Sequence, residues 1–243
     1  MPRARARLLG LCLACGLVAM APRPAAAWDR VQQIVRGTAE TLEKGQLQMG
    51  IFAPITYGVT DALTVASHPI FDLLLLPNLD ARYRLVQGER WVLGLYGGFE
   101  QGFLPAETST VAGAIEFGFH ATVYLMDRIS ITAGTGWAGR IDRVEPGSAT
   151  TQQDPGVSAH LNATWLIGRR HLLLLNGYVR YSFADGIDQP VLTGALVRAW
   201  EQFQLVGGVS LGNHLIHTLP DNSGVTRAQN WPVMPYIDLW FDF

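Results

Sequence analysis

Cysteine is almost missing from this 243-residue chain; Cys12 and Cys15, both near its start, are the only two. Lysine is rarer, with Lys44 alone. Charged residues make up 16% of the chain, against about 25% in ordinary soluble domains. Past the first residues no apolar run approaches the roughly 18 residues of a membrane-spanning helix; the longest, Leu73 to Leu76, is closed by Asp72 and Pro77. Together these absences exclude a disulfide-stapled scaffold, a helical membrane bundle and the basic surface of a nucleic-acid binder. With 49% hydrophobic residues the chain is no disordered polymer, and its 26 glycines exceed the usual share of about 7%.

The start of the chain reads as an address. Arg3, Arg5 and Arg7 precede an apolar stretch, Leu8 to Met20, and Ala25-Ala26-Ala27 supplies small residues before Trp28, the order of a secretory signal. Residues 1–27 are therefore expected to be removed. Without Arg3, Arg5, Arg7 and Arg23 the 18 basic residues become 14, against 20 acidic ones, so the net charge of the exported chain is 14 − 20 = −6. Both cysteines leave with the leader. Lipidation at Cys15, after Leu13-Ala14, is the competing reading, weakened because Cys12 stands where that motif favours Leu.

After Trp28 the dominant signal is alternation with a period of two. In Val111 to Leu125, the residues Val111, Ile115, Phe117, Phe119, Val123 and Leu125 share one parity, while Glu116, His120, Thr122 and Tyr124 share the other. Side chains alternate across a strand, so such a segment has one greasy and one wet face. The pattern recurs at Ile129 to Arg140, Val157 to Ile167, Leu173 to Phe183 and Phe203 to Leu215, with weaker copies at Leu47 to Ala53, Ala62 to Ser67, Leu79 to Val86, Trp91 to Gln101 and Val191 to Trp200. Tight joins such as Met126-Asp127-Arg128 and Gly168-Arg169-Arg170 alternate with longer polar stretches, among them Ile141 to Pro155 and Leu219 to Asn230. Short turns at one end and long loops at the other are the organisation of an outer-membrane barrel.

The last strand is the most specific. From Tyr236 onward, Ile237, Leu239, Phe241 and Phe243 alternate with Asp238 and Asp242, and the chain ends on an aromatic residue. This resembles the terminal signature of outer-membrane β-barrel proteins of Gram-negative bacteria. The segment Thr41-Leu42-Glu43-Lys44-Gly45-Gln46, followed by Tyr57-Gly58-Val59-Thr60-Asp61, is similar to the opening of uncharacterised porin- or transporter-like barrels of that kind. The resemblance implies an outer-membrane location, contact with outer-membrane lipids and recognition by the barrel-assembly machinery through Tyr236, Ile237, Leu239, Phe241 and Phe243. It implies no nucleic-acid partner.

The expected fold is all-β: a transmembrane antiparallel up-and-down barrel over residues 46–243. Eleven candidate strands are legible, and bacterial single-chain barrels take even numbers. The expected count is 12, with 10 as the alternative. The twelfth strand is sought near Val31 to Arg36, so residues 28–45 are either a periplasmic segment or that first strand; Pro69 to Asn78, where alternation fails, is read as a loop at the rim.

Assigning the polar parity to the interior places Arg82, Arg84, Glu100, Glu116 and His120 on the lumen wall, together with Arg140, His160, Arg180, Arg198, His214 and Asp238. Two readings of this mixed-charge interior stay open: a narrow passive pore for small polar solutes, and a nearly closed barrel held by ion pairs that acts through its external loops. Inward glycines such as Gly94, Gly98, Gly134, Gly136 and Gly208 would leave space in it. No catalytic residue, cofactor or metal is assigned. Ser158 and His160 share a face as a nucleophile and base would, but they lack the sequence contexts of outer-membrane lipid hydrolases. His214 and His217 fall on opposite faces of a strand, which disfavours a metal site. Trp91, Trp137, Trp165, Trp200, Trp231 and Trp240 are expected in the aromatic girdles at the membrane interfaces.

Overall fold

Where apolar and polar residues alternate, the backbone is extended, because only a strand sends the two classes to opposite faces. The computed structural model describes residues 28–51, 53–68, 78–101, 111–143, 151–187, 190–200, 203–217 and 228–242; the side chains at 100, 101, 111, 112, 142, 143, 151, 213–217 and 228–231 lie outside the described residues. The strands are β1 (Leu47–Gly50), β2 (Ile55–Thr60), β3 (Leu63–Ser67), β4 (Asn78–Gln87), β5 (Trp91–Gln101), β6 (Val111–Met126), β7 (Ile129–Arg143), β8 (Thr151–Gly168), β9 (His171–Ser182), β10 (Gly186–Ile187), β11 (Val191–Ala199), β12 (Phe203–His217) and β13 (Ala228–Asp242). The two-residue β10 folds back on the end of β9 alone. The other strands pair antiparallel around a ring, and β13 closes it on β1 through Gln48↔Asp242, Met49↔Phe241 and Gly50↔Trp240. The result is a closed antiparallel barrel of twelve strands with no free edge.

The twelfth strand is not the one sought at Val31 to Arg36. Val31–Gln33 is a single 3-10 turn, and its flanking Asp29 amide donates to the Gln33 side chain at 2.8 Å. The spacing of Val31, Ile34 and Val35 is helical, not alternating. The missing strand is β2, in which Ile55, Tyr57 and Val59 alternate with Thr56, Gly58 and Thr60 over only six residues after Pro54. Its tight turn at Asp61-Ala62 leads into β3. The strand ends that flank 61–62, 88–90, 127–128, 169–170 and 200–202 lie at one end of the barrel, with the start of β1 and the end of β13; those that flank 68–77, 102–110, 144–150, 183–190 and 218–227 lie at the other. Of the rim loop expected at Pro69 to Asn78, Asn78 opens β4, and the rest, like residues 1–27 and the Trp231 side chain, lies outside the described residues.

The outer face is apolar. Phe117, Leu161, Leu192, Phe119 at 59% and Ile237 at 64% exposure all point away from the lumen. The inner face is mostly polar, with Thr122, Thr132, Ser158, Thr164, Arg180 and Ser182 buried.

Near the tight-turn end one inward assignment reverses and one girdle assignment fails. On β11 it is Ala195, Val197 (0% exposed) and Ala199 that face inward, and Arg198 points outward with its guanidinium 4.9 Å from the Trp200 ring centre. On β13, Trp240 faces inward and is buried, so it belongs to no girdle. The cause is common to both. At this end the lumen is filled by an apolar cluster in which Val92, Tyr124, Leu166, Leu172, Ala195, Val197, Val206 and Trp240 from the wall meet Val31, Ile34 and Ala39 from the N-terminal segment. Where the lumen is apolar, the rule that polar parity faces inward fails.

Facing lipid or lumen decides the cost of a charge. Phe119→Arg, on the outer face in the middle of β6, is expected to lower folding stability by about 2–4 kcal/mol, while Asn176→Arg, on the inner face of β9, changes it by less than about 1 kcal/mol. Urea titration of the protein refolded into liposomes measures both; equal effects would contradict the assignment of faces.

Candidate functional site in the barrel lumen

Residues 31–42 run through the lumen at the tight-turn end without joining the sheet, so their backbone needs partners there. The wall provides them. The Val31 amide donates to the Asp127 carbonyl at 2.8 Å, the Ala39 amide to Thr122 Oγ1 of β6 at 2.7 Å, and the Leu42 amide to Thr64 Oγ1 of β3 at 2.8 Å. Asn162 Nδ2 of β8 donates to the Gly37 carbonyl at 3.1 Å, at a turn whose φ of +73° suits glycine. Arg82 of β4 donates through Nη1 to the carbonyls of Val35 at 2.9 Å and Thr38 at 3.2 Å.

Glu40 is the charged centre of this contact. It is 4% exposed, pairs with Arg84 of β4 at 3.1 Å, and accepts hydrogen bonds from Tyr124 Oη of β6 at 2.5 Å and Gln87 Nε2 of β4 at 3.4 Å. A buried carboxylate is tolerated only with such partners. On the opposite wall the Arg36 guanidinium lies 4.1 Å from the Trp240 ring centre. Burial lowers its pKa to about 10 against the opposing pull of Asp242 and Asp238, so it stays protonated at neutral pH. The segment thus touches β3, β4, β6, β8 and β13, on widely separated parts of the ring.

Above it the wall is lined by rings. Tyr96 of β5 donates to Glu116 of β6 at 3.2 Å and meets Ser158 Oγ of β8 at 3.4 Å; Ser158 also donates to Glu116. The ring centres of His120 and His160 lie 5.4 and 5.3 Å from that of Tyr96 and 6.3 Å from each other. These rings come close to glycines of other strands. A methyl added at Gly94 would come within 2.7 Å of His120 Nε2, one at Gly136 within 2.8 Å of Tyr96 Oη, and one at Gly134 would collide with the His160 ring. Asp80 and Tyr236 occupy the positions over Gly98 and Gly208 in the same way. The inward glycines therefore seat side chains from neighbouring strands; they do not simply leave the bore wide.

Toward the long-connection end Arg180 of β9 pairs with Asp154 of β8 at 2.9 Å, and Ser182 donates to the same carboxylate. Arg140 is half-buried on the inner face of β7. Asp238 accepts from Trp240 Nε1 at 2.7 Å and from the Ile51 amide at 3.0 Å, tying the end of β13 to β1. Of the terminal residues, Tyr236 faces inward against the apolar cluster, Leu239 and Phe241 share the outer face of Ile237, and Phe243 lies outside the described residues. The side chains of Glu100 and His214 also lie outside them.

Sequence reasoning assembled Arg82, Arg84, Glu116, His120 and His160 as separate wall positions. It missed that residues 35–40 meet Arg82 and Arg84 inside the barrel. The signal present was negative: Gly37-Thr38-Ala39-Glu40-Thr41 has neither strand alternation nor the length of a loop tied to a neighbour. Ser158 bonds Glu116 and Tyr96 and makes no hydrogen bond to His160.

Seating a ring on a glycine makes the pair interdependent. Gly134→Ala is expected to destabilise the barrel by about 1–3 kcal/mol through overpacking, and the double variant with His160→Ala to recover most of that loss. Urea unfolding of the four-member cycle tests the coupling; additive losses would refute it.

No family model matches the chain, and no curated protein matches it. Sixteen chains of known structure do. One is the porin NanC in a rhombohedral crystal form, which superposes with a TM-score of 0.52 at 6% sequence identity, over 82% of this chain and 98% of that one. At that identity the likeness is one of fold: the chain has the closed antiparallel barrel seen in a porin.

Proposed function

We propose that the protein is an outer-membrane, porin-like barrel of a Gram-negative bacterium that passes small polar solutes passively through a narrow lumen. The apolar outer face suits lipid, and the short connections suit the periplasmic end. The likeness to a protein described as a porin supports the same reading. One observation carries the pore itself. On β9, Asn176 faces inward at mid-height and remains exposed, beside the half-exposed Tyr178 and, on β11, Thr193. That side of the lumen holds accessible space lined by polar groups, in contrast to the packed wall between β6 and β8. The half-buried Arg140 on the inner face of β7 would set the charge that small polar solutes meet in it.

The apolar cluster at the tight-turn end favours a second reading, a sealed barrel whose long connections do the work. Conductance separates the two. In planar bilayers the pore reading expects discrete ionic steps, and Arg140→Glu is expected to shift the reversal potential toward cation preference. A folded, heat-modifiable barrel that shows no steps, even after deletion of residues 28–42, overturns the pore and leaves the sealed barrel.

A further inference from the structure

The N-terminal segment is seated by two different kinds of contact, and neither is covalent. Its apolar side chains Val31, Ile34 and Ala39 complete the cluster at the tight-turn end. Its polar grip centres on Glu40, between Arg84, Tyr124 and Gln87, with Arg82 holding the carbonyls of Val35 and Thr38 and Arg169 paired with Asp29 at 2.9 Å. The hydrogen-bonded ring of strands closes without the segment. The barrel closes through β1 and β13, and the segment contributes no strand to the sheet. Its backbone leans on side-chain hydroxyls and an amide from the wall, Thr122, Thr64 and Asn162. All of these are groups that water would satisfy equally if the segment left.

From this arrangement we infer that residues 28–42 are a releasable stopper, latched by Glu40, that leaves the lumen as a unit while the twelve-stranded wall stays folded. The seated form closes the tight-turn end, and the released form opens it. The charged latch sets the balance between them. Removing the Glu40 carboxylate takes away the ion pair and two hydrogen bonds at once, so the released population rises. The role of release in conduction rests on the pore reading above; release itself does not.

Two measurements separate these claims. Val31→Cys places a thiol at a position fully buried in the seated segment, and Ser182→Cys places one at an equally buried position of the wall, at the far end of β9 from the segment. Protein purified from outer membranes and held in liposomes is treated with a membrane-impermeant maleimide. Wild type run in parallel gives any background from Cys12 and Cys15. The inference expects Val31→Cys to label while Ser182→Cys stays protected, and expects Glu40→Ala to raise the Val31→Cys rate roughly tenfold or more.

A tether provides the opposite arm. An ideal Cβ at Gly37 lies 4.0 Å from the Asn162 Cβ, within the span of a disulfide. In Gly37→Cys/Asn162→Cys, oxidation is expected to abolish the ionic steps and reduction to restore them. Equal protection of Val31→Cys and Ser182→Cys, with no effect of Glu40→Ala, would show the segment to be a fixed part of the core and overturn the stopper. Labelling that follows the latch, with no steps in any state, would keep the stopper and overturn the pore.

Discussion

A ring of twelve strands encloses more volume than its own inward side chains fill, since barrel width grows with strand number and about eight strands already reach the packed limit. The rest of the structure follows from how that surplus is met. At the tight-turn end the chain supplies its own filling, residues 31–42, and the wall there turns apolar to receive it. At mid-height the surplus is met by rings set close to glycines, which thickens the wall on the side of β5 to β8. On the side of β9 and β11 the surplus is left as accessible space beside Asn176.

The charged groups divide along the same line. Arg84 and Glu40 hold the filling in place, while Arg180 and Asp154 tie two wall strands to each other. Both pairs keep their partners close because the low-dielectric interior makes an unpaired charge costly. The same residue types thus do two jobs, and only the location of the partner, on the segment or on the wall, tells them apart.

Much of the barrel was legible in the sequence, because a two-faced sheet imposes a period of two that survives in Val111 to Leu125 and in Phe203 to Leu211. What failed did so for physical reasons. β2 is six residues long, too short for alternation to stand out, while Val31 to Arg36 offered apolar residues at helical spacing. Arg198 was misplaced because polarity predicts the inward face only where the interior is wet, and Trp240 because its place near a strand end suggested a girdle although it shares the inward parity of Asp238. The lumen site was harder still. Arg82 and Arg84 were recognised as wall residues, but their partner Glu40 lies in a stretch with no periodicity, and its position depends on contacts with strands more than forty residues away.

The partners of the segment also have a chronology. Thr64, Thr122, Asn162 and Trp240 are spread from the third strand to the last, so the part of the barrel that precedes every strand in the chain has no complete seat until the final strand has met β1. Contacts of such long sequence separation form late. The seat of residues 31–42 is therefore complete only once the last strand has closed on the first.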